Sequence, residues 1–147
     1  TVTADEAGRY RGQCAQLCGA QHANMAMYVV AQEPDDFSAW LENQRRPASE
    51  PPEDSGIARG EELFIRSSCV YCHTVRGSNP AAAEVGPDLT HLASRETIAA
   101  GILENNQGNL AGWIVDPQHI KPGNLMPATD LSSQELLDLI AYLMSLD

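Results

Sequence analysis

The chain has 147 residues, of which 43% are hydrophobic and 20% are charged, a composition typical of one folded domain or two small ones. Its 20 acidic residues against 9 basic ones give a formal net charge of −11, which argues against a nucleic-acid binder and against a polybasic membrane anchor. The longest clean apolar run, residues 25–31, is shorter than the ~18 residues of a membrane-spanning helix, so we predict no transmembrane segment in this sequence.

Residues 1–46 predict a small segment with both strand and helix. The sequence begins at Thr1 without an initiator Met or a hydrophobic leader, so we expect no signal peptide in it. The run 25–31 is rich in β-prone Tyr and Val residues, which predicts a strand. Residues 34–41 begin with acidic side chains and carry apolar ones at helical spacing, which predicts a short amphipathic helix.

Residues 47–56 predict a linker between two parts of the chain. They contain three Pro, three acidic residues and no large apolar side chain, so nothing in them can offset the entropy of ordering the segment. The predicted organisation is therefore a segment 1–46, a Pro-rich acidic linker 47–56 and a module 57–147.

The module 57–147 is predicted to be helical. Helices are expected over residues 57–67, 96–104 and 110–115, the last of them stopped by Pro117. Ser132 and Glu135 form a capping box that begins the clearest helix. An apolar stripe follows in that helix, made of Leu136, Leu139, Ile140 and Leu143.

Four cysteines occur in two pairs, and the neighbours of the second pair indicate a c-type haem. Cys69-Val70-Tyr71-Cys72-His73 is the attachment pattern in which two thiols add to the haem vinyl groups and the adjacent His ligates the iron. Met126 lies 53 residues after His73 in a loop framed by Pro and Gly, and it is the best candidate for the opposite axial ligand. A His/Met pair raises the iron potential and leaves no open position, which favours electron transfer over oxygen chemistry.

Other residues compete for these roles. Met126 could instead fill a gap in the core, although that interpretation suits Met144 in the last helix better. His91 and His119 are weaker candidates for the axial position. We expect His91 in a loop, near the haem edge or at the surface.

Three further residues are candidates for contacts around the haem. The stretch that contains Pro87 is expected to return past His73, so that the Pro87 carbonyl accepts the second ring N–H of that histidine. Arg95 and Trp113 are candidates to hydrogen-bond the haem propionates. A solvated Arg and a core Trp remain equally open alternatives.

The first cysteine pair lies in a cluster of soft ligands. Cys14, Cys18, His22 and Met25 follow at intervals of 4, 4 and 3 residues, and thiolate, imidazole and thioether ligands suit copper. A glycine and the β-prone run that follows favour a loop over a helix. Two thiolates can bridge two coppers, each of which needs an imidazole and a weak ligand such as the Gln16 carbonyl. No His precedes Cys14, so either the site is mononuclear or a ligand lies upstream; a structural zinc site or a disulfide is the competing interpretation.

These motifs resemble those of a known family. The stretch from Gly12-Gln13-Cys14 to Cys18-Gly19, with His22 and Met25, resembles the CuA loop of cytochrome c oxidase subunit II. Residues 57–147 resemble the cytochrome c domain fused to the C-terminus of that subunit in caa-type bacterial oxidases. The motifs that carry this second resemblance are Gly86-Pro87-Asp88-Leu89-Thr90-His91, Ser94-Arg95, Lys121-Pro122-Gly123-Asn124 and Met126-Pro127.

The resemblance implies a mainly α fold in which residues 57–147 form a class I cytochrome c fold. Residues 1–46 are then a truncated C-terminal piece of a cupredoxin-like β-barrel. In the family, two transmembrane helices precede that barrel, so the resemblance implies an N-terminally truncated subunit that helices outside this sequence attach to the membrane.

The same resemblance implies two cofactors and their ligands. Covalent haem c would be bound by Cys69, Cys72 and His73, with Met126 on the opposite face of the iron. A dinuclear CuA centre would have its coppers bridged by the two remaining cysteines. The residues implied as copper ligands are Cys14, Gln16, Cys18, His22 and Met25.

The implied function is electron transport in a respiratory chain. Electrons would enter at haem c, pass to the CuA centre and reach subunit I, where oxygen is reduced and protons are pumped. The implied partners are oxidase subunit I and an electron donor, either an external cytochrome c or another quinol-oxidising complex. The implied location is the extracytoplasmic (periplasmic) face of the bacterial cell membrane.

Two alternatives to an oxidase subunit stay open. The first is a fragment of a nitrous oxide reductase with a fused cytochrome, because its CuA loop is similar. The second is a free-standing soluble c-type electron carrier, whose first 46 residues would be a remnant. The genomic sequence upstream of Thr1 would distinguish these from the oxidase.

Overall fold

The computed structural model describes residues 2–78 and 83–147. Two small antiparallel sheets accompany the helices in this part of the chain, in agreement with the predicted mainly α fold. None of the helices described is long and apolar enough to cross a membrane. The elements in chain order are β1 (Gly8–Gln13), β2 (Ala26–Ala31), α1 (Pro34–Arg45), α2 (Gly56–Arg66), β3 (Thr97–Ile98), β4 (Leu103–Glu104), α3 (Gln107–Val115), α4 (Pro117–Ile120) and α5 (Ser133–Leu143).

Strands β1 and β2 form an antiparallel hairpin over all six residues of each strand. The segment between them is a loop with one short 3-10 turn, His22–Asn24, so the loop predicted for the first cysteine pair is confirmed. Gly19 contributes a φ of 124°, which a right-handed helix does not admit. The Cys14 amide donates to the Met25 carbonyl at 3.0 Å and closes the base of the loop.

The two helices at the centre of the chain begin with residues that favour a helix start. Helix α1 has Pro34 in its first turn and two acidic residues beside it, which complement the positive end of the helix dipole. In α2, the Ser55 hydroxyl accepts the Ala58 amide at 3.0 Å, as an N-cap residue does. Both helices were predicted from the sequence at nearly these positions.

The core forms where α2 crosses α5. The Phe64 and Tyr142 rings lie 5.8 Å apart at this crossing, and each residue is only 1% exposed. Gly60 permits the close approach, because a Cβ at that position would lie 2.0 Å from the Asp138 carbonyl oxygen. Beside it, Arg59 donates to both carboxylate oxygens of Asp138 at 2.9 and 3.0 Å. The predicted capping box of Ser132 and Glu135 begins α5.

The helix predicted over residues 96–104 is wrong. This stretch forms the short hairpin of β3 and β4. Its turn contains Ala99, Ala100 and Gly101 with φ of 53°, 61° and 79°, which are left-handed and therefore incompatible with a right-handed helix. The periodicity of a short apolar run does not separate a buried helix from a tight hairpin. Helix α3 ends before Pro117 as predicted, and that proline begins α4.

Candidate functional site

A cavity of about 950 Å³ opens in the module 57–147 beside the α2–α5 crossing, and residues 9–44 contribute to its lining. This volume lies at the upper end of the ~300–1,000 Å³ that is usual for cofactor cavities. Its walls include the side chains of Leu89, Leu92, Ile98, Trp113, Leu139 and Leu143. Cys69, His73 and Met126, which the sequence assigns to a haem, line the same space. Residues 53 positions apart in the chain are thus brought to one apolar cavity.

The two cysteines of the haem motif lie in a single tight turn after α2. The amides of Cys72 and His73 donate to the Cys69 carbonyl at 3.1 and 2.8 Å. This arrangement places Cys69 and Cys72 one 3-10 turn apart and directs the chain at His73 into the cavity wall. Both cysteines are free thiols and half-buried, as attachment to an enclosed porphyrin would require.

The ring of His73 is held by the segment that returns past it. Its Nδ1 lies 2.8 Å from the Pro87 carbonyl oxygen. Because a carbonyl oxygen can only accept, Nδ1 carries the proton and Nε2 is left as the nitrogen that can bind a metal. A Cβ on Gly86 would lie 2.6 Å from Cε1 and 2.7 Å from Nδ1 of this ring. Only glycine therefore fits at position 86, which the sequence motif did not explain.

Arg95 is half-buried at the cavity wall. Its Nη2 donates to the carbonyl of Asp88, next to Pro87. Burial lowers the pKa of the Arg95 guanidinium, and the charge of Asp88 partly opposes that effect. Trp113 is also half-buried and lines the cavity from α3. Both residues can therefore reach a group inside the cavity, and a fully solvated Arg95 is not what the structure has.

Met126 lies in a loop that side chains hold from two directions. Its amide donates to Asn124 Oδ1 at 2.8 Å, and its carbonyl accepts from Gln118 Nε2 at 3.0 Å. Gln118 Oε1 accepts the Gly123 amide at 3.0 Å, which fixes the preceding turn. Sequence reasoning missed Gln118, since no motif includes it. Asn124 belonged to a quoted motif without an assigned role.

The other two candidate histidines differ in their surroundings. His119 is exposed in α4. His91 is only 4% exposed, so the surface location considered for it is wrong. Its Nε2 lies 3.1 Å from the Arg46 carbonyl oxygen, and it contributes to the cavity lining from its own loop.

The residues assigned to copper form a second cluster in the β1–β2 loop. Sγ of Cys14 lies 3.3 Å from Sγ of Cys18 and 3.1 Å from the Gln16 carbonyl oxygen. Sγ of Cys18 lies 3.7 Å from Nδ1 of His22 and 3.6 Å from Sδ of Met25. The imidazole, the thioether and the carbonyl each lie within 3.7 Å of one of the two thiols, and this donor set suits a soft metal such as copper.

The thiol of Cys18 is affected by its neighbour Cys14. The pKa of the Cys18 thiol is raised, mainly by its hydrogen bond with Cys14 and further by desolvation and by the charge of Cys14. A bound cation would offset the cost of deprotonating Cys18, because its positive charge stabilises the thiolate that binds it. The positive charge of Lys121 acts in the opposite direction and lowers the pKa of Cys18.

Comparison with known proteins gives one family and several similar chains. Residues 57–147 match the family model for cytochrome c. The chain is 46% identical over 146 residues to a protein of Alkalihalophilus pseudofirmus, covering 99% of this chain and 41% of that one. It is 38% identical to a protein of Bacillus sp. strain PS3 and 37% identical to one of Bacillus subtilis, covering 95% and 96% of this chain and 40% of each of theirs.

All three of these similar proteins are named cytochrome c oxidase subunit 2. The resemblance found in the sequence is therefore confirmed. The chain spans about two fifths of the length of these relatives, at 40–41% of each.

Proposed function

This chain belongs to the cytochrome c family, and we propose that it transfers electrons as part of subunit 2 of a haem–copper oxidase. The observation that carries the proposal is the convergence of Cys69, His73 and Met126 on one apolar cavity. Similarity over 95–99% of the chain to proteins named cytochrome c oxidase subunit 2 supports the oxidase over a nitrous oxide reductase or a free-standing carrier.

Haem c, when bound, supplies a one-electron iron couple. The chain's own residues prepare the site for it. Cys69 and Cys72 provide the two thiols for covalent attachment, and Nε2 of His73 is the unprotonated nitrogen that can bind iron. Met126 would take the opposite position from a loop that Gln118 and Asn124 hold in place. Iron held by both His73 and Met126 would have no position left for oxygen, which would favour electron transfer over oxygen chemistry.

We further propose that the loop of Cys14, Gln16, Cys18, His22 and Met25 provides ligands of a CuA centre. Copper bound there would supply a one-electron couple, and the 3.3 Å between Sγ of Cys14 and Sγ of Cys18 supports a site that both thiols share. The hairpin β1–β2 is then a piece of the cupredoxin-like barrel of the family. The chain would receive electrons at the haem module, residues 57–147, and pass them through this loop toward subunit I. Oxygen reduction and proton pumping would occur in subunit I.

The proposed partners and location follow from the same family. Subunit I of the oxidase would accept the electrons, and an external cytochrome c or another quinol-oxidising complex would donate them. The protein would work at the extracytoplasmic (periplasmic) face of a bacterial membrane, held there by helices outside this sequence. The module 57–147 carries eleven acidic and five basic residues, which favours a donor with a basic docking face.

The replacement Met126→Ala tests the haem assignment. Removing the thioether should open one axial position, so the reduced protein should bind carbon monoxide and shift its optical spectrum. Met144→Ala is the matched control, because Met144 also packs against the core but lies at the end of α5. If the Met126 variant takes up no more carbon monoxide than the Met144 variant, Met126 is not an iron ligand.

Copper loading tests the second centre. The chain should bind copper, and Cys14→Ser with Cys18→Ser should abolish the sulfur-to-copper absorption. Since His22 is the one histidine in the described metal-ligand cluster, this chain by itself should not give a mixed-valence dinuclear signal in electron paramagnetic resonance. A dinuclear spectrum from this chain would show that the ligand set is complete without a second imidazole.

A further inference from the structure

The end of helix α1 is held by side chains of the haem module. Arg76 donates from Nη2 to the Gln44 carbonyl at 2.6 Å and from Nη1 to the Arg45 carbonyl at 3.3 Å. Nε2 of His91 lies 3.1 Å from the next carbonyl, that of Arg46. The last carbonyls of a helix have no partner within it, so these two side chains cap the carboxyl end of α1 from across the linker.

The tautomer of His91 follows from its partner. The Arg46 carbonyl oxygen can only accept, so Nε2 of His91 carries the proton and the imidazole is a donor to α1. His91 is 4% exposed and its Nδ1 has no hydrogen-bond partner among the described residues. The ring thus leaves one of its two polar atoms unpaired while it keeps the bond to the α1 end.

Arg76, one of the two capping residues, also contacts the segment that holds the His73 ring. Arg76 follows His73 by three residues, and its Nε lies 3.3 Å from Oδ2 of Asp88. Asp88 follows Pro87, whose carbonyl accepts the hydrogen bond from Nδ1 of His73. Burial alone would raise the pKa of Asp88, but hydrogen bonds from Thr90 and the charge of Arg76 lower it, so the carboxylate stays ionised beside the guanidinium.

The linker is tied at the same place. The Ala48 amide donates to the Arg76 carbonyl at 2.7 Å, so Arg76 is bonded to residues on both sides of Pro47. A Cβ on Gly77 would lie 3.0 Å from Cβ of Pro47, so the start of the linker lies close against the backbone at Gly77. A free tether would have neither contact.

A second, separate contact lies at the base of the copper loop. The Ala26 amide, next to Met25, donates to the Ala100 carbonyl in the left-handed turn of β3–β4 at 3.3 Å. A Cβ on Gly101 of that turn would lie 3.3 Å from the Tyr28 ring. The hairpin therefore meets the haem module at one end and α1 meets it at the other, so rotation about the linker is restricted at two points.

We propose that Arg76 and His91, which we call the α1 clamp, hold the segment made of the β1–β2 hairpin and α1 at one position against the haem module. The clamp thereby positions the two redox centres of the proposed function for electron transfer within one chain, without a docking step between freely moving domains. Arg76 and His91 are positioning residues in this proposal, since they act through α1 and not on either cofactor. The inference rests on the proposed function for its purpose, but its geometry can be tested without electron transfer.

Limited digestion with trypsin provides that test. The Arg45–Arg46 peptide bond lies within the clamp, and the Arg46–Pro47 bond resists trypsin because of its proline. In the haem-loaded chain, Arg76→Gln should accelerate cleavage at Arg45 about tenfold or more, since it removes two hydrogen bonds from a charged donor. Arg66→Gln is the matched control, because Arg66 forms an exposed ion pair with Glu62 inside α2 and has no hydrogen bond to α1 among the described residues.

A conservative variant separates a lost clamp from a misfolded module. Arg76→Lys keeps the positive charge beside Asp88 but cannot reach two carbonyls with one forked group. It should also accelerate cleavage at Arg45, with an unchanged haem spectrum. The fluorescence of Trp40, obtained by subtracting a Trp40→Phe version, should rise in both Arg76 variants, because Trp40 lines the haem cavity from α1 and haem quenches it.

The outcomes distinguish this inference from the proposed function. If both Arg76 variants are cleaved at Arg45 no faster than the Arg66 variant, the clamp does not hold α1 and the inference is overturned. A lower melting temperature of the Arg76 variants with an unchanged rate of cleavage at Arg45 would likewise overturn the inference and leave Arg76 a structural residue. If the unsubstituted chain takes up no haem, the proposed function fails, and cleavage of the haem-free chain still decides whether the clamp exists.

Discussion

Replacing Gly60 with Ala should destabilise the haem module through the α2–α5 crossing. An added Cβ would lie 2.0 Å from the Asp138 carbonyl oxygen, 2.6 Å from its carbonyl carbon and 2.7 Å from Cβ of Tyr142. Ordinary carbon contacts begin near 3.4 Å, so the two helices would have to separate by about 1.4 Å. Two of the three obstructing atoms belong to the backbone and cannot rotate away.

The expected loss of stability follows from two opposing effects. Overpacking a close crossing costs about 1–3 kcal/mol, and rigid backbone neighbours put this site at the upper end. Ala is favoured over Gly within a helix by about 0.5–1 kcal/mol, which offsets part of that cost. The net loss is therefore about 2 kcal/mol, or about 8–16 °C in Tm for a domain of this size.

Thermal unfolding of the haem-loaded chain, followed by circular dichroism, measures this loss. Gly112→Ala in α3 is the matched control, because the one described atom that its Cβ would meet within 4 Å is Cδ1 of Ile120 in α4, at an ordinary contact distance of 3.8 Å. The control should gain about 0.5–1 kcal/mol from helix propensity alone. A Gly60 variant that melts as high as the unsubstituted chain, or higher, would refute the close crossing of α2 and α5.

Two further changes test the site and the core. Gly86→Ala should displace the His73 ring from the Pro87 carbonyl, make the imidazole a weaker electron donor and raise the haem potential in a redox titration; an unchanged potential would contradict the contact. Asp138→Asn should lower the Tm at pH 7, since the hydrogen bond from Arg59 lowers the pKa of Asp138 in the folded chain. A lowered folded pKa gives stability that is present above the unfolded value and lost as pH falls through the folded one, so the Tm difference should close below about pH 4. A difference of the same size at pH 3 and pH 7 would argue against the ion pair.

The helices were predictable where local chemistry determines them. The capping box of Ser132 and Glu135 and the acidic first turn of α1 act through the backbone of their own turn, so their effect can be read without knowledge of the fold. The helix predicted over residues 96–104 is wrong because the apolar residues there suit a helix, while packing imposes the left-handed turn at Ala99 and Ala100. Local propensity has no access to such a constraint.

The two candidate metal-binding motifs could also be recognised from the sequence alone. Thiol attachment to haem requires two cysteines and a histidine at fixed short spacing, and a soft copper site requires sulfur and imidazole ligands near one another. Both requirements are satisfied within a few residues of chain. The identities of Cys69, Cys72, His73, Cys14 and Cys18 as candidates could therefore be read from their spacing.

Only the tertiary structure decided which distant residues meet these motifs. The contact of His73 with Gly86 and Pro87, the support of Met126 by Gln118 and the cap of Arg76 on α1 each join residues from separate turns or loops. Their spacing in the chain follows no period, because loop lengths between packed elements are set by the path of the chain over the core. The candidate ligands are thus local properties of the sequence, whereas their orientation is a property of the packed fold.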